Sequence, residues 1–274
     1  MPSDQPVRVA LSGVSSTALW TLRNRAAASM SANSPFHDYW AEKLYRSIDF
    51  PFEEFGAVSE SHAVRAQVFD AALLKLLRQD RKTTVVALGE GLQTTFWRLG
   101  SPDVQWLSVD LPEVIEIRRQ LLPADGHITD AAMSALDRSW FDYVEGTNVI
   151  ITAEGLLMYL APDEVTGLLA DLATRFPGGN LIFDTVPPWF VELSAKGVPI
   201  ARNASHPMPA YTFGCGPQDA FAMVGRVPGL ARLEELTPEG PQRLSASKIM
   251  VDVLRHVPFL RNNGYFTGRF TFTD

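Results

Sequence analysis

The sequence predicts an α/β fold in which a mostly parallel sheet is covered by helices on both faces. Short apolar runs recur from residue 84 onwards, and segments with apolar residues at helical spacing separate them. A Gly-x-Gly turn follows the first of these runs. Because a strand that is buried on both faces has no polar side, continuous apolar runs alternating with amphipathic helices indicate parallel strands.

Helical segments fill the region ahead of the first strand. Apolar residues recur there at helical spacing, as Leu19, Leu22 and Ala26 do on one face. The predicted helices cover residues 16–31, 38–48 and 62–77. Strands and helices alternate only after this region. We therefore predict an amino-terminal helical cap over residues 1–80 and an α/β core over residues 81–274.

The core is predicted to alternate strands with helices. Apolar runs predict strands at residues 85–88, 104–109, 149–153 and 181–184, and alternation predicts a last strand at residues 265–272. Pro112 and Pro162 lie where helices begin, a position that tolerates proline because the first N–H groups of a helix have no partner. Residues 187–218 are rich in proline, glycine and aromatic side chains, and we expect them to form an insertion over the sheet edge.

Composition excludes several classes of protein. The chain of 274 residues carries a formal net charge of −7, whereas a nucleic-acid-binding surface needs a basic stripe. One cysteine, Cys215, excludes an internal disulfide and a cysteine-rich zinc site. No apolar run approaches the roughly 20 residues of a membrane span, and the amino terminus lacks the apolar segment of a signal peptide. We predict a cytoplasmic protein without nucleic-acid, membrane or metal partners, and the sequence leaves its oligomeric state open.

The turn after the first strand indicates a nucleoside-containing cofactor. Gly89 and Gly91 separate an apolar run from a helical segment, an arrangement that presents backbone N–H groups to a nucleotide-like ligand. The next apolar run ends in Asp110, 21 residues after Gly89, where a carboxylate accepts hydrogen bonds from ribose hydroxyls or caps the following helix. A dinucleotide-binding turn has a third glycine where this chain has Thr94, which weakens the case for a pyrophosphate ligand.

Three further segments give a family resemblance. Arg65 lies in segment 61–70 ahead of the first strand, Glu154 follows a buried strand in segment 152–160, and segment 134–140 precedes that strand. With these, the chain resembles the leucine carboxyl methyltransferase family of S-adenosylmethionine-dependent O-methyltransferases. It is most similar to the bacterial branch typified by the tetracenomycin polyketide O-methyltransferase. The resemblance implies a class I, Rossmann-like methyltransferase fold, with seven mostly parallel strands and an amino-terminal helical cap.

The resemblance also implies S-adenosylmethionine as cofactor and gives individual residues roles toward it. Arg65 corresponds to the arginine that pairs with the methionine carboxylate, a partner that suits a planar guanidinium. Arg25 falls near a second basic residue for the same carboxylate. The remaining matches are Gly89 and Gly91 under the methionine and nucleoside, Asp110 with Leu111 at the ribose, Ala135 and Leu136 at the adenine, and Glu154 at the amino acid end.

The chain departs from this branch beside the Gly-x-Gly turn. Relatives commonly carry Asp-Thr-Arg where this sequence has Gln93, Thr94 and Thr95, and a small residue in place of Glu90. Since the other matching residues are present, we expect cofactor binding to be retained. Two alternatives stay open. A nicotinamide-dependent dehydrogenase would leave the matching arginine and glutamate without a role, and a non-catalytic protein would keep only the fold.

The choice of methyl acceptor depends on whether the sequence offers a general base. A carboxylic acid with a pKa of about 4 is ionised at neutral pH, whereas a phenol near ~10 needs a base. Of five histidines, only His206 lies in the predicted insertion, and no aspartate pairs with it in the pattern. We therefore expect the acceptor to be a carboxylate on a small molecule of natural-product metabolism, with a phenol as the alternative. The residues expected to line its site are Arg202, His206, Tyr211 and Tyr159.

Overall fold

Three helices precede the large sheet in the computed structural model, which describes residues 5–77, 82–199, 201–238 and 264–274. The part of the chain that carries them is called the cap. The cap elements are β1 (Val7–Arg8), α1 (Gly13–Met30), α2 (Tyr39–Ser47), β2 (Ile48–Asp49) and α3 (Ser61–Leu77). β1 and β2 pair in parallel, and a 3₁₀ turn over Phe52–Phe55 follows them. The three helices confirm the predicted ones, with small shifts at their ends.

Within the described residues, seven strands form one sheet. They are β3 (Thr83–Leu88), β4 (Gln105–Asp110), β5 (Ile128–Ala132), β6 (Asn148–Ala153), β7 (Asn180–Thr185), β8 (Leu230–Glu235) and β9 (Phe266–Phe272). Their order across the sheet is β5-β4-β3-β6-β7-β9-β8. The first five are parallel, whereas β9 runs antiparallel to both of its neighbours. This confirms the predicted fold class and adds β5 and β8, which the apolar runs did not predict.

Helices connect the strands and cover both faces of the sheet. They are α4 (Thr95–Arg98), α5 (Pro112–Leu121), α6 (Pro162–Arg175), α7 (Pro188–Ala195) and α8 (Pro217–Met223). Pro112 and Pro162 occupy the first positions of α5 and α6, as predicted. The segment between β7 and β8 carries α7, α8 and the irregular chain between them. None of the helices in the described ranges has the length and apolar character that a membrane span requires.

Alternate residues of the central strands pack in two separate cores, one on each face of the sheet. Val86 of β3 packs in one cluster with Leu168 of α6, while Val85 packs on the other face with Phe69 of α3 and Phe96 of α4. Burial on both faces explains why these strands are continuously apolar. A further core joins α1 and α2 of the cap to α5.

The sheet reverses its direction of strand addition between β3 and β6. From β3 the chain adds β4 and β5 on one side, and from β6 it adds β7 on the other. The loops after β3 and β6 therefore leave the sheet in opposite directions and open a crevice at the carboxyl ends of the strands. Ligands of open α/β sheets bind in that crevice.

Candidate active site

A cavity of about 1660 Å³ lies at the carboxyl ends of β3, β4 and β6. Single-ligand pockets span about 300–1,000 Å³, so this cavity has room for two small molecules together. Most of the residues predicted for the site line it: Arg65, Gly89, Gly91, Asp110, Leu111, Ala135, Glu154, Tyr159, Arg202 and Tyr211. Arg25, Leu136 and His206 are not among the residues that form its wall.

The Gly-x-Gly turn is held open toward the cavity by its backbone conformation. Gly89 and Gly91 both have positive φ values, 58° and 57°, which side chains with a Cβ atom rarely adopt. A Cβ at Gly89 would stand 2.9 Å from Cδ1 of Leu156. A side chain at Gly89 would therefore collide with Leu156, and both glycines contribute to the cavity wall.

Asp110 fixes the same turn through its carboxylate. One oxygen accepts a hydrogen bond from the Gly91 N–H at 2.5 Å, and the other accepts one from the Leu111 N–H at 2.7 Å. Burial raises the pKa of Asp110, although these two donors act in the opposite direction. Each carboxylate oxygen keeps a second lone pair for a further donor.

Glu90, which stands where relatives carry a small residue, forms a buried ion pair beside the turn. Its carboxylate is buried 2.8 Å from the Arg118 guanidinium and accepts a hydrogen bond from Nε1 of Trp106 at 3.2 Å. Arg118 also donates to the backbone carbonyls of Gly91 and Gln93, at 2.9 Å each. The charge of Glu90 is therefore paired, and its partner Arg118 also holds the backbone of the turn.

Residues 93–95, which differ from those of relatives, also make buried hydrogen bonds. Gln93 donates to Glu154 at 2.7 Å, and the Thr94 hydroxyl donates to Asp38 at 2.5 Å. Arg98, one turn further along, donates to the Thr95 hydroxyl at 3.0 Å. An arginine is thus still present beside this segment, and it comes from α4.

Arg65 and Glu154, predicted from separate segments, form a buried ion pair at the cavity wall. Arg65 Nε donates to Glu154 at 2.9 Å, and its NH1 group lies 3.3 Å from Asp184, at the end of β7. Asp184 also accepts hydrogen bonds from the Gly155 N–H at 2.6 Å and from the Tyr265 hydroxyl. Burial raises the pKa of Glu154 in spite of its arginine partner.

Sequence reasoning missed Asp184 and Tyr265. Asp184 carries the same signal that singled out Glu154, namely an acidic residue at the end of a continuously apolar strand. A buried carboxylate is costly unless it is paired, so such a residue indicates a partner or a ligand. Tyr265 precedes β9 and offered no comparable signal.

The structure places Arg25 behind the turn and away from the cavity. Its guanidinium is fully buried, 2.7 Å from the Asp38 carboxylate, and donates to the Leu92 carbonyl at 2.7 Å. These contacts occupy the groups that the resemblance directed at the cofactor. Arg25 therefore supports the chain that follows the Gly-x-Gly turn.

His206 also lies outside the cavity wall. Its Nε2 is 3.2 Å from the Ser16 hydroxyl, its Nδ1 is 3.4 Å from Glu54, and its ring packs against Phe50 and Phe55. These contacts join the insertion to the cap. Leu136 is half-buried beside the cavity, and its backbone N–H is bonded to the Ser134 hydroxyl.

The remaining predicted acceptor residues lie in an aromatic part of the wall. The rings of Tyr159 and Tyr211 are 5.3 Å apart, and Phe190 lies 5.6 Å from Tyr211. Burial raises the pKa of both tyrosines above the usual value, so both hydroxyls keep their protons. The two hydroxyls bond to each other, which uses one proton and leaves the other for a ligand. The Arg202 side chain has no partner among the described residues, while its backbone carbonyl accepts from Ala57 at 2.8 Å.

Comparison with known proteins settles the family. The sequence pattern of leucine carboxyl methyltransferase matches residues 18–173, more than half of the chain. The chain belongs to the leucine carboxyl methyltransferase family. This confirms the prediction of a methyltransferase and of S-adenosylmethionine as its cofactor.

Relatives of this methyltransferase cover most of its length. The tetracenomycin polyketide synthesis O-methyltransferase TcmP of Streptomyces glaucescens is 30% identical over 83% of this chain and 84% of its own. A putative S-adenosylmethionine-dependent methyltransferase of Mycobacterium marinum is 30% identical over 64% of this chain and 67% of its own. The apo crystal structure of the methyltransferase SibL covers 95% of this chain and 70% of its own with a TM-score of 0.51 and 14% identity, which shows a shared fold.

The family match divides the predicted site residues into two groups. All those predicted for the cofactor lie within residues 18–173, as does Tyr159. The acceptor residues Arg202, His206 and Tyr211 lie beyond this range. The matched range contains strands β3 to β6 and the Gly-x-Gly turn, whereas β7, β8, β9 and the segment between β7 and β8 follow it.

Proposed function

We propose that this methyltransferase transfers the methyl group of S-adenosylmethionine to the carboxylate of a small molecule and releases a methyl ester. One observation carries the proposal. The cavity is large enough for two ligands, and Arg202 and the hydroxyl pair of Tyr159 and Tyr211 line one side of it. Arg202 is exposed, and its side chain has no partner in the described parts of the chain. Such a wall suits an oxygen that is already anionic.

The residues on the opposite side of the cavity fit the cofactor. Gly89 and Gly91 contribute to the cavity wall, and Asp110 retains acceptor capacity for ribose hydroxyls. Arg65 faces two carboxylates, those of Glu154 and Asp184, so this group carries a net negative charge. That charge favours the cationic ammonium and sulfonium of the cofactor. When bound, the cofactor supplies an electrophilic methyl group on a positively charged sulfur.

The chain contributes alignment and shielding to such a displacement. Holding the two reactants in line supplies on the order of 7–11 kcal/mol of the barrier. A carboxylate with a pKa near ~4 is ionised at neutral pH, so no base has to remove a proton from it. The hydroxyl pair of Tyr159 and Tyr211 has one proton left to donate, and this hydrogen bond positions the attacking oxygen. The cap helices that line the cavity exclude water.

The acceptor is assigned to natural-product metabolism because of the similarity to TcmP, whose name places it in polyketide synthesis. A small molecule fits the dimensions of the cavity. The aromatic side chains of Tyr159, Phe190 and Tyr211 suit an acceptor with a flat, apolar skeleton beside its carboxylate.

Matched carboxylic acids and phenols test the reaction directly. The methyltransferase is incubated with methyl-labelled S-adenosylmethionine and pairs of acceptors, such as 1-naphthoate with 1-naphthol, that share one skeleton. We expect labelled product from the acid, and mild base should release that label as methanol because it hydrolyses esters. Label transferred only to the phenol, in a base-stable ether, would establish the alternative.

Replacing Arg202 with alanine should weaken acceptor binding selectively. A hydrogen bond to a charged group contributes about 1.5–3 kcal/mol, so we expect KM for the accepted carboxylic acid to rise at least about tenfold. KM for S-adenosylmethionine should stay unchanged, since the backbone of Arg202 still holds the loop through Ala57. Arg226→Ala, an exposed change outside the cavity wall, is the control. An unchanged KM for the acid would remove Arg202 from the site.

A further inference from the structure

His62 lies in the cavity wall, although the sequence analysis gave it no role. It is the histidine that lines the cavity among those in the described parts of the chain. It sits in the first turn of α3, three residues before Arg65, and is 7% exposed. Its ring meets the edge of Trp20 at 4.5 Å.

Hydrogen bonds to Asn24 fix which nitrogen of His62 carries the proton. The Ser59 N–H donates to Oδ1 of Asn24 at 3.2 Å, so the other side of this amide is its NH₂ group. That NH₂ group lies 2.8 Å from Nδ1 of His62 and donates to it. Because Nδ1 accepts a hydrogen bond, the proton of a neutral imidazole must be on Nε2.

The surroundings keep this imidazole neutral. Burial lowers the pKa of His62 well below its usual value, and the positive charges of Arg65 and Arg25 lower it further. Nε2 has no hydrogen-bond partner among the residues that the structure describes. The result is a fixed N–H donor in the cavity wall, which has no lone pair on Nε2 to act as a base.

We propose that His62 donates a hydrogen bond from Nε2 to the carboxylate at the amino acid end of S-adenosylmethionine. This inference rests on the cofactor site of the proposed function. Residues three apart on a helix lie on one face, so His62 is beside Arg65, which the resemblance assigns to the same carboxylate. Arg65 shares its guanidinium with Glu154 and Asp184, so a neutral donor beside it adds a further hydrogen bond to the ligand carboxylate.

Two substitutions separate the donor from a structural role. His62→Asn keeps an acceptor at the place of Nδ1 for Asn24 and loses the donor at Nε2. His62→Gln keeps an N–H donor at the reach of Nε2 and loses the contact with Asn24. Binding of S-adenosylhomocysteine and of 5′-methylthioadenosine, which lacks the amino acid part, is measured by calorimetry. His37→Asn, at an exposed position, is the control.

We expect His62→Asn to weaken S-adenosylhomocysteine binding about tenfold, which corresponds to one lost hydrogen bond to a charged group, and to leave 5′-methylthioadenosine binding unchanged. His62→Gln should bind S-adenosylhomocysteine more tightly than His62→Asn. Long-range ¹H–¹⁵N spectra of the unaltered protein should show the proton on Nε2.

Three results would overturn the inference. They are a proton on Nδ1, equal losses for the two nucleosides, or full affinity for S-adenosylhomocysteine in His62→Asn. The last result, together with a raised KM for a carboxylic acid acceptor, would assign the donor to the acceptor. Failure of the unaltered protein to bind S-adenosylhomocysteine would instead contradict the proposed function.

Discussion

Replacing Asp38 with alanine is expected to lower the free energy of unfolding by about 3–5 kcal/mol, the usual cost of removing one partner from a buried ion pair. Asp38 binds two buried guanidinium groups, Arg25 at 2.7 Å and Arg98 at 2.9 Å. Its side chain is 0% exposed. It also accepts from the Ala41 N–H at 3.0 Å and so caps α2. The substitution leaves two cationic groups without this partner in a place that water does not reach.

Urea denaturation of the two proteins measures this loss, and Asp137→Ala is a matched control. Asp137 accepts from the Ser139 N–H at 3.0 Å and caps a 3₁₀ turn, but it is exposed and pairs with no cation among the described residues. Losing a cap alone costs about 0.5–2 kcal/mol. Equal losses for the two variants would show that the buried charges near Asp38 contribute nothing beyond capping.

The contribution of Asp38 to the free energy of unfolding should depend on pH. Burial raises its pKa, but Arg25 and Arg98 more than offset this and hold the pKa below its usual value. A group whose pKa is lower in the folded protein stabilises it above the unfolded value, near ~3.9, and loses that effect as the pH falls further. The difference in stability between the original protein and Asp38→Ala should therefore shrink below about pH 4.

The sequence predicted the interior strands well and the edge strands poorly, for a physical reason. β3, β4, β6 and β7 are covered on both faces and must be apolar throughout. β5 and β8 are the two edges of the sheet, with polar residues along much of their length, so they show no continuous apolar run.

The cofactor side of the site was predictable for a related reason. Gly89, Asp110 and Glu154 each end a recognisable strand, and parallel strands bring their carboxyl ends to one edge. The positions of Arg25 and His62 were not predictable in this way. Both lie on helices of the cap, where the direction of a side chain depends on how the helices pack against the sheet.

Replacing Arg65 with methionine should weaken S-adenosylhomocysteine binding by about 100-fold or more and lower the free energy of unfolding by about 3 kcal/mol. Binding falls because the resemblance assigns Arg65 to the ligand carboxylate, and the variant lacks that cation. Stability falls because Glu154 and Asp184 lose the cation that they share. Calorimetry with S-adenosylhomocysteine, under conditions in which the variant is folded, separates the two effects.

Arg119→Met is the control for this change, because Arg119 pairs with Asp130 in an exposed ion pair. Such pairs contribute about 0–1 kcal/mol, so this variant should be nearly as stable as the original and should bind the ligand equally well. If folded Arg65→Met kept full affinity for S-adenosylhomocysteine, Arg65 would be a structural residue and the proposed cofactor site would be wrong.

The pH dependence of Arg65→Met gives an independent check on its structural part. Burial already holds the pKa of Glu154 above its usual value while Arg65 opposes the effect, so removing Arg65 should raise that pKa further. A carboxyl group that binds its proton more tightly in the folded state makes stability rise as the pH falls, from the raised folded pKa down toward the unfolded value near ~4.3. The stability deficit of the variant should therefore narrow as the pH falls from neutrality toward that unfolded value. A deficit that stayed constant over this range would mean that Glu154 is not left buried and charged when Arg65 is removed.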